Sequence, residues 1–133
     1  MNNIILGLDF DGTCCIHKFP EIGPEVPYAI ESIKALQKMG CKFVLNTMRS
    51  DDQTSGNVLT NAVIWLKERG IELYGINHNP DQDSWTSSPK VYCSYYCDDA
   101  ALGCPLIYEN GEKPYVNWPA LLRILNERLE LEK

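Results

Sequence analysis

No stretch of this chain approaches the roughly 18 to 20 continuous apolar residues of a membrane span, and the opening MNNIILGLDFDG turns acidic too soon for a signal peptide. The expected location is therefore cytoplasmic. Basic residues are also in deficit: 12 Lys and Arg stand against 18 Asp and Glu, a net charge of -6. The broad basic face that nucleic acid or anionic membrane demands is missing, so neither is an expected partner, although a local positive site is still allowed. A third absence is C-x-x-C. The six cysteines (Cys14, Cys15, Cys41, Cys93, Cys97 and Cys104) offer no zinc-type spacing, and in a reducing compartment they are expected to be small buried thiols and not disulfides. Internal repeats and low-complexity tails are lacking too. The 133 residues, 44% of them hydrophobic, fit one domain spanning 1–133.

What is present alternates. NIILGL (3–8) is a nearly continuous apolar run, the pattern of a central parallel strand covered by helices on both faces. After an irregular excursion (14–24), Val26, Ile30, Ile33 and Leu36 mark one side of a helix between Pro24 and Met39, with Gly40 as terminator. CKFVLNT (41–47) reads as a second strand. Val58, Ala62, Trp65 and Leu66 mark a helix over 54–69, and IELYGI (71–76) reads as a third strand. A polar loop fills 77–89, long enough to suggest function. VYCSYYC (91–97) has strand composition, a short strand is expected near 105–108, and Asn110-Gly111 signals a tight reversal. A closing helix from about Asn117 buries Leu121, Leu122, Leu125 and Leu129. This order predicts an α/β, Rossmann-like three-layer sandwich around a mainly parallel sheet.

Parallel strands deliver Asp9 and Asp11, Thr47 and Arg49, and Asp98 and Asp99 to one carboxyl-end rim, where open α/β sheets bind ligands. Two carboxylates about 4 Å apart repel by roughly 4 kcal/mol in a protein-like dielectric, so such a cluster calls for a cation or for protonation. Several oxygens and several waters are what Mg²⁺ requires. Such an ion seats a phosphate dianion, to which Lys90 adds positive charge and Thr47 a hydroxyl. Protein groups in phosphoryl transfer contribute mainly this kind of positioning.

LDFDGT at the first strand, Thr47 after the second, Lys90, and a later strand ending in Asp98-Asp99 together resemble the four motifs of the haloacid dehalogenase (HAD) superfamily, over nearly the whole chain. The short members with T-x-R after the second strand, here Thr47-Met48-Arg49, are the most similar. The resemblance implies a Mg²⁺-dependent phosphomonoester hydrolase in which Asp9 forms an aspartyl-phosphate and Asp11 is general acid, then base. It implies metal ligation by Asp9, by the Asp11 main-chain carbonyl and by the Asp98-Asp99 pair, with Asp98 favoured as the direct ligand and Asp99 holding a metal-bound water or orienting Lys90. The intervals 14–46 and 50–89 leave no room for the cap domain of larger members. Such a site admits an exposed phosphate end of a large substrate, or a phosphorylated small molecule over which a second subunit of a homo-oligomer closes.

Gly12, Asn46 and Arg49 are candidate substrate contacts, with Arg49 alternatively paired to Asp51 or Asp52. His17, His78 and Trp85 are further candidates for contact. The rival functions are a phosphate- or metal-binding HAD-like module that acts through a partner with little or no catalysis, and a phospho-accepting receiver domain. The position of D-x-D-G-T on the first strand argues against the receiver.

Overall fold

The computed structural model describes residues 3–131. β1 (Ile5–Leu8), β2 (Lys42–Leu45), β3 (Leu73–Ile76) and β4 (Tyr95–Cys97) form one sheet of order β3-β2-β1-β4, every neighbouring pair parallel. β5 (Leu106–Ile107) and β6 (Tyr115–Val116) make a separate antiparallel pair, joined across 108–114. The helices are α1 (Ala29–Lys38), α2 (Val58–Glu68) and α3 (Trp118–Leu131). The sheet and its layers are those of a Rossmann-like α/β fold. No helix among the described residues is long and apolar enough to cross a membrane.

Strand residues alternate between faces, and the two faces are covered differently. Leu6, Leu8, Phe43, Leu45 and Cys97 enter one large core with Ile33 and Leu36 of α1, Ala62, Trp65 and Leu66 of α2, and Leu121, Leu125 and Leu129 of α3. All three α-helices thus lie on the same side, each by the apolar stripe its sequence shows; Leu122 is only partly buried beside it. Ile5 and Val44, pointing the other way, meet Val91, Cys93 and Tyr74.

That second layer is the β3-to-β4 crossover itself, which carries a 3-10 helix, Pro80–Ser84, within the stretch expected as a polar loop. Pro80 and Pro89 bound the stretch, and Asn79 caps the 3-10 turn by accepting from the Asp81 N–H at 2.9 Å. A register shift between Phe43 and Val44 on the β3 side sets Gly75 opposite Val44. A Cβ on Gly75 would collide with the His78 carbonyl, so the missing side chain lets the chain fold back over β3. The expected strand over 91–97 is shorter for the same reason: Val91 and Cys93 are apolar because they cover Ile5 and Val44, and pairing starts only at Tyr95. The six cysteines are free, and all but Cys104 are buried.

Candidate functional site

Beyond the strand ends the sheet's hydrogen bonding runs one more step. The N–H groups of Asp9, Asn46 and Asn77 donate to the carbonyls of Cys97, Leu8 and Leu45 at 3.0, 2.8 and 2.6 Å. This aligns the first residues after β4, β1, β2 and β3 along one rim.

At its β1–β4 part, Asp9, Asp98 and Asp99 each offer a carboxylate oxygen, all within 4.8 Å of one another. No lysine or arginine pairs with them among the described residues. Burial, then the neighbouring Asp99 and Asp98, push the Asp9 carboxyl up to about 9. Asp98 is also raised, chiefly by burial. The all-oxygen donor set and this concentration of uncompensated negative charge fit a hard divalent cation.

A hydroxyl absent from the sequence-based candidates completes the cluster. Thr13, fully buried, donates to Asp9 Oδ2 at 3.0 Å and accepts the Asp99 N–H at 3.2 Å, so one side chain orients both acids. Its own carbonyl accepts the Trp118 indole N–H at 2.7 Å, and the Gly12 carbonyl accepts the Val116 N–H at 2.9 Å. Thr13 was legible as the closing residue of LDFDGT. Gly12 has φ +85°, and any Cβ there would strike both the Asp99 carboxylate and the His17 ring. His17 Nε2 and Asp99 Oδ2 are 3.0 Å apart, so Asp99 pairs with His17 and does not orient Lys90.

Asp11 does not join the acid cluster. Its two oxygens take the Arg49 Nε and Nη2 at 2.8 and 2.9 Å, so its charge is compensated by a guanidinium and not by a cation shared with Asp9. Arg49 is 2% exposed. Its remaining N–H groups go to the carbonyls of Glu21, Pro20 and Val58. With all five donors spent, Arg49 leaves nothing for substrate. It also ignores Asp51 and Asp52: Asp51 accepts from the N–H groups of Leu59 and Thr60 at the start of α2, and Asp52 from those of Thr54 and Ser55.

Thr47 reaches the rim as expected. Its N–H donates to Asn77 Oδ1 at 2.8 Å, and its hydroxyl accepts the Arg49 N–H at 3.1 Å while keeping a proton to give. Lys90 does not reach the acids. It is exposed, makes no ion pair among the described residues, and places its ammonium 5.8 Å from the Tyr96 ring centroid. Trp85 is edge-on to Tyr92 at 5.9 Å, pinning its own loop, and His78 meets Asp83 at 3.1 Å. Cys14 donates to the Asp9 carbonyl and Cys15 to Asp11 Oδ1, at 3.4 and 3.8 Å. Burial pushes the Cys15 thiol up to about 12 and Cys14 up as well, so both act as weak donors and not as nucleophiles.

No protein-family model matches the chain, and no curated protein does. Among solved structures, the chain is similar to one described as the conserved protein coded by a locus from Bacteroides thetaiotaomicron. The two are 28% identical, with 96% of this chain and 93% of that chain covered and a TM-score of 0.75. The likeness extends the α/β fold over essentially the whole length of both proteins, and that description names no activity.

Proposed function

We propose that the protein is a Mg²⁺-dependent phosphomonoester hydrolase that works through an aspartyl-phosphate on Asp9. The observation that carries this reading is the convergence of Asp9, Asp98 and Asp99 within 4.8 Å, with Asp9 pushed up to about 9. Asp9, one or both acids of the pair, and the Asp11 main-chain carbonyl would hold the cation. When bound, it would supply charge neutralisation for a phosphate dianion and keep Asp9 ionised.

In the first step an Asp9 carboxylate oxygen attacks phosphorus, and the ester oxygen departs with a proton from Asp11. Water then loses a proton to Asp11, attacks the acyl phosphate, and releases inorganic phosphate with Asp9 restored. Thr47 donates its hydroxyl proton to a phosphate oxygen. Thr13 and His17 fix the acids by the bonds described above. Asp11 has to take up a proton from solvent and turn out of the Arg49 fork to reach a leaving oxygen, and Lys90 has to leave Tyr96 to reach a phosphate.

Those two requirements are also what favour the second reading, a phosphate- or metal-binding module with little catalysis. Hydrolysis of para-nitrophenyl phosphate with Mg²⁺ separates the two. The hydrolase reading expects turnover that Asp9→Asn abolishes while circular dichroism stays native. No turnover by the wild type, together with Mg²⁺ and phosphate binding, would leave the module.

A further inference from the structure

The rim leads from the acids to a second feature. Asp9, Asn46 and Asn77 stand on adjacent strands, so Asn77 lies about 10 Å from Asp9 at the roughly 4.8 Å spacing of paired strands. Beyond Asn77 is a cavity of about 470 Å³, within the range of small-molecule sites, walled in part by Asn77, His78, Asp83, Ser87 and Ser88.

The lane between is neutral and hydrogen-bonding. The Asn46 side-chain amide has no partner among the described residues. The Thr47 hydroxyl keeps its proton, and Asn77 has committed only its Oδ1, to Thr47. Inside the cavity the His78 Nε2–Asp83 pair leaves the other ring nitrogen and carboxylate lone pairs open. Ser88 Oγ accepts the Lys90 N–H at 3.2 Å and so retains a proton to donate, and Ser87 adds a hydroxyl. The loop is held by Gln82, which is 3% exposed and itself part of the wall: it donates to the Ser88 and Lys90 carbonyls and accepts from the Tyr92 N–H. The walls include no lysine or arginine to hold a second phosphate and no aromatic ring to stack on a base, since Trp85 faces Tyr92.

We propose that this cavity is the subsite for a hydroxyl-rich body, so that the substrate is a phosphorylated sugar or polyol bearing one phosphate and no base. The proposal rests on the phosphatase reading of Asp9. A chain of about five or six carbons between phosphate and terminal hydroxyl spans the distance in extended form. A carboxylate–imidazole pair flanked by serines suits such a chain, because each offers directional partners to vicinal hydroxyls.

The test compares kcat/KM for ribose phosphate and sorbitol phosphate with that for para-nitrophenyl phosphate in the presence of Mg²⁺. The wild type favours the sugar and polyol esters. His78→Ala, and Ser87→Leu, which fills the cavity, lower the ratio of sugar to aryl kcat/KM by about tenfold, the scale of one lost hydrogen-bond partner. Trp85→Ala leaves that ratio unchanged. A ratio insensitive to both cavity variants, or one that falls with Trp85→Ala, overturns the proposal. Amide chemical-shift mapping with Mg²⁺ separates this from the phosphatase reading. Ribose phosphate shifts both the Asp9 rim and residues 78–88, whereas inorganic phosphate shifts only the rim. Shifts at both places without turnover of any ester would sink the hydrolase and keep the subsite. Turnover of the aryl ester with ribose phosphate shifts confined to the rim would do the reverse, and ribose phosphate shifts at neither place would remove both.

Discussion

Residues 9–13 and residues 77–91 share the rim of one sheet and are held in opposite ways. The first segment is buried and tied from four directions: by Arg49 on Asp11, by Asp99 on Thr13, by Val116 on Gly12 and by Trp118 on Thr13. It accumulates negative charge that the protein compensates only at Asp11. The second is largely exposed, contains the 3-10 helix, and is organised around two buried amides, Asn79 and Gln82. It offers hydroxyls, amides and the His78–Asp83 pair. A rigid, charge-loaded segment suits bond-making, which tolerates little displacement, and a lightly tethered polar one suits the choice of what is bound.

Four experiments would break or sharpen that contrast. The largest effect is expected at Asp9, where Asn removes the nucleophile: turnover of an aryl phosphate should fall by at least about a thousandfold, the scale of losing a covalent catalyst. Activity close to wild type in Asp9→Asn would place the chemistry elsewhere. Next is Arg49→Met, which strands the Asp11 carboxylate and three backbone carbonyls; chemical denaturation should register a loss of about 3–5 kcal/mol. A loss under about 1 kcal/mol would mean that the excursion around Pro20 and Glu21 does not depend on this clamp.

The third effect concerns pH in the absence of divalent cation. Asp9 titrates near 9 in the fold and near its ordinary value of 3.8 when unfolded. The folded state therefore holds the extra proton, and its contribution to stability is complete below about pH 4 and lost as pH rises toward 9. At pH 8 with EDTA, Asp9→Asn should be more stable than the wild type, on the order of 2–4 kcal/mol, and Mg²⁺ should close the gap by stabilising only the wild type. Equal unfolding curves for the two proteins across pH 5–9 would contradict the charge conflict at the cluster. The smallest effect belongs to the loop: Trp85→Ala gives up an edge contact at an exposed site and should cost under about 1 kcal/mol, with a thermal midpoint close to the wild type. A large loss would show that the loop is as tightly built as the rim beneath it.

The same contrast explains how far the sequence could be read. Helix faces and strand order follow from local periodicity, so α1 and α2 bury the residues their spacing marks, and LDFDGT places Asp9 next to Asp98-Asp99 because parallel pairing leaves no other rim for them. Arg49 was not legible, since its partners come from three separated segments and only the fold brings Asp11, the carbonyls of Pro20 and Glu21, and Val58 around one guanidinium. Lys90 was misplaced by composition. Val91 and Cys93 have strand-like side chains because they are buried against a sheet face, and Lys90 precedes β4 by that covering stretch. The missing helix on the second face had a visible cause in Pro80 and Pro89, but the run of 77–89 gave no periodicity from which the 3-10 turn or its cavity could be derived.

The most direct test of the central claim is acid-quenched peptide mapping of the protein during turnover of a phosphate ester with Mg²⁺. The peptide containing Asp9 should carry the mass of one phosphoryl group, labile to hydroxylamine as an acyl phosphate is, and the label should vanish with EDTA. Turnover accompanied by no label, or by a label on any residue other than Asp9, would contradict the account.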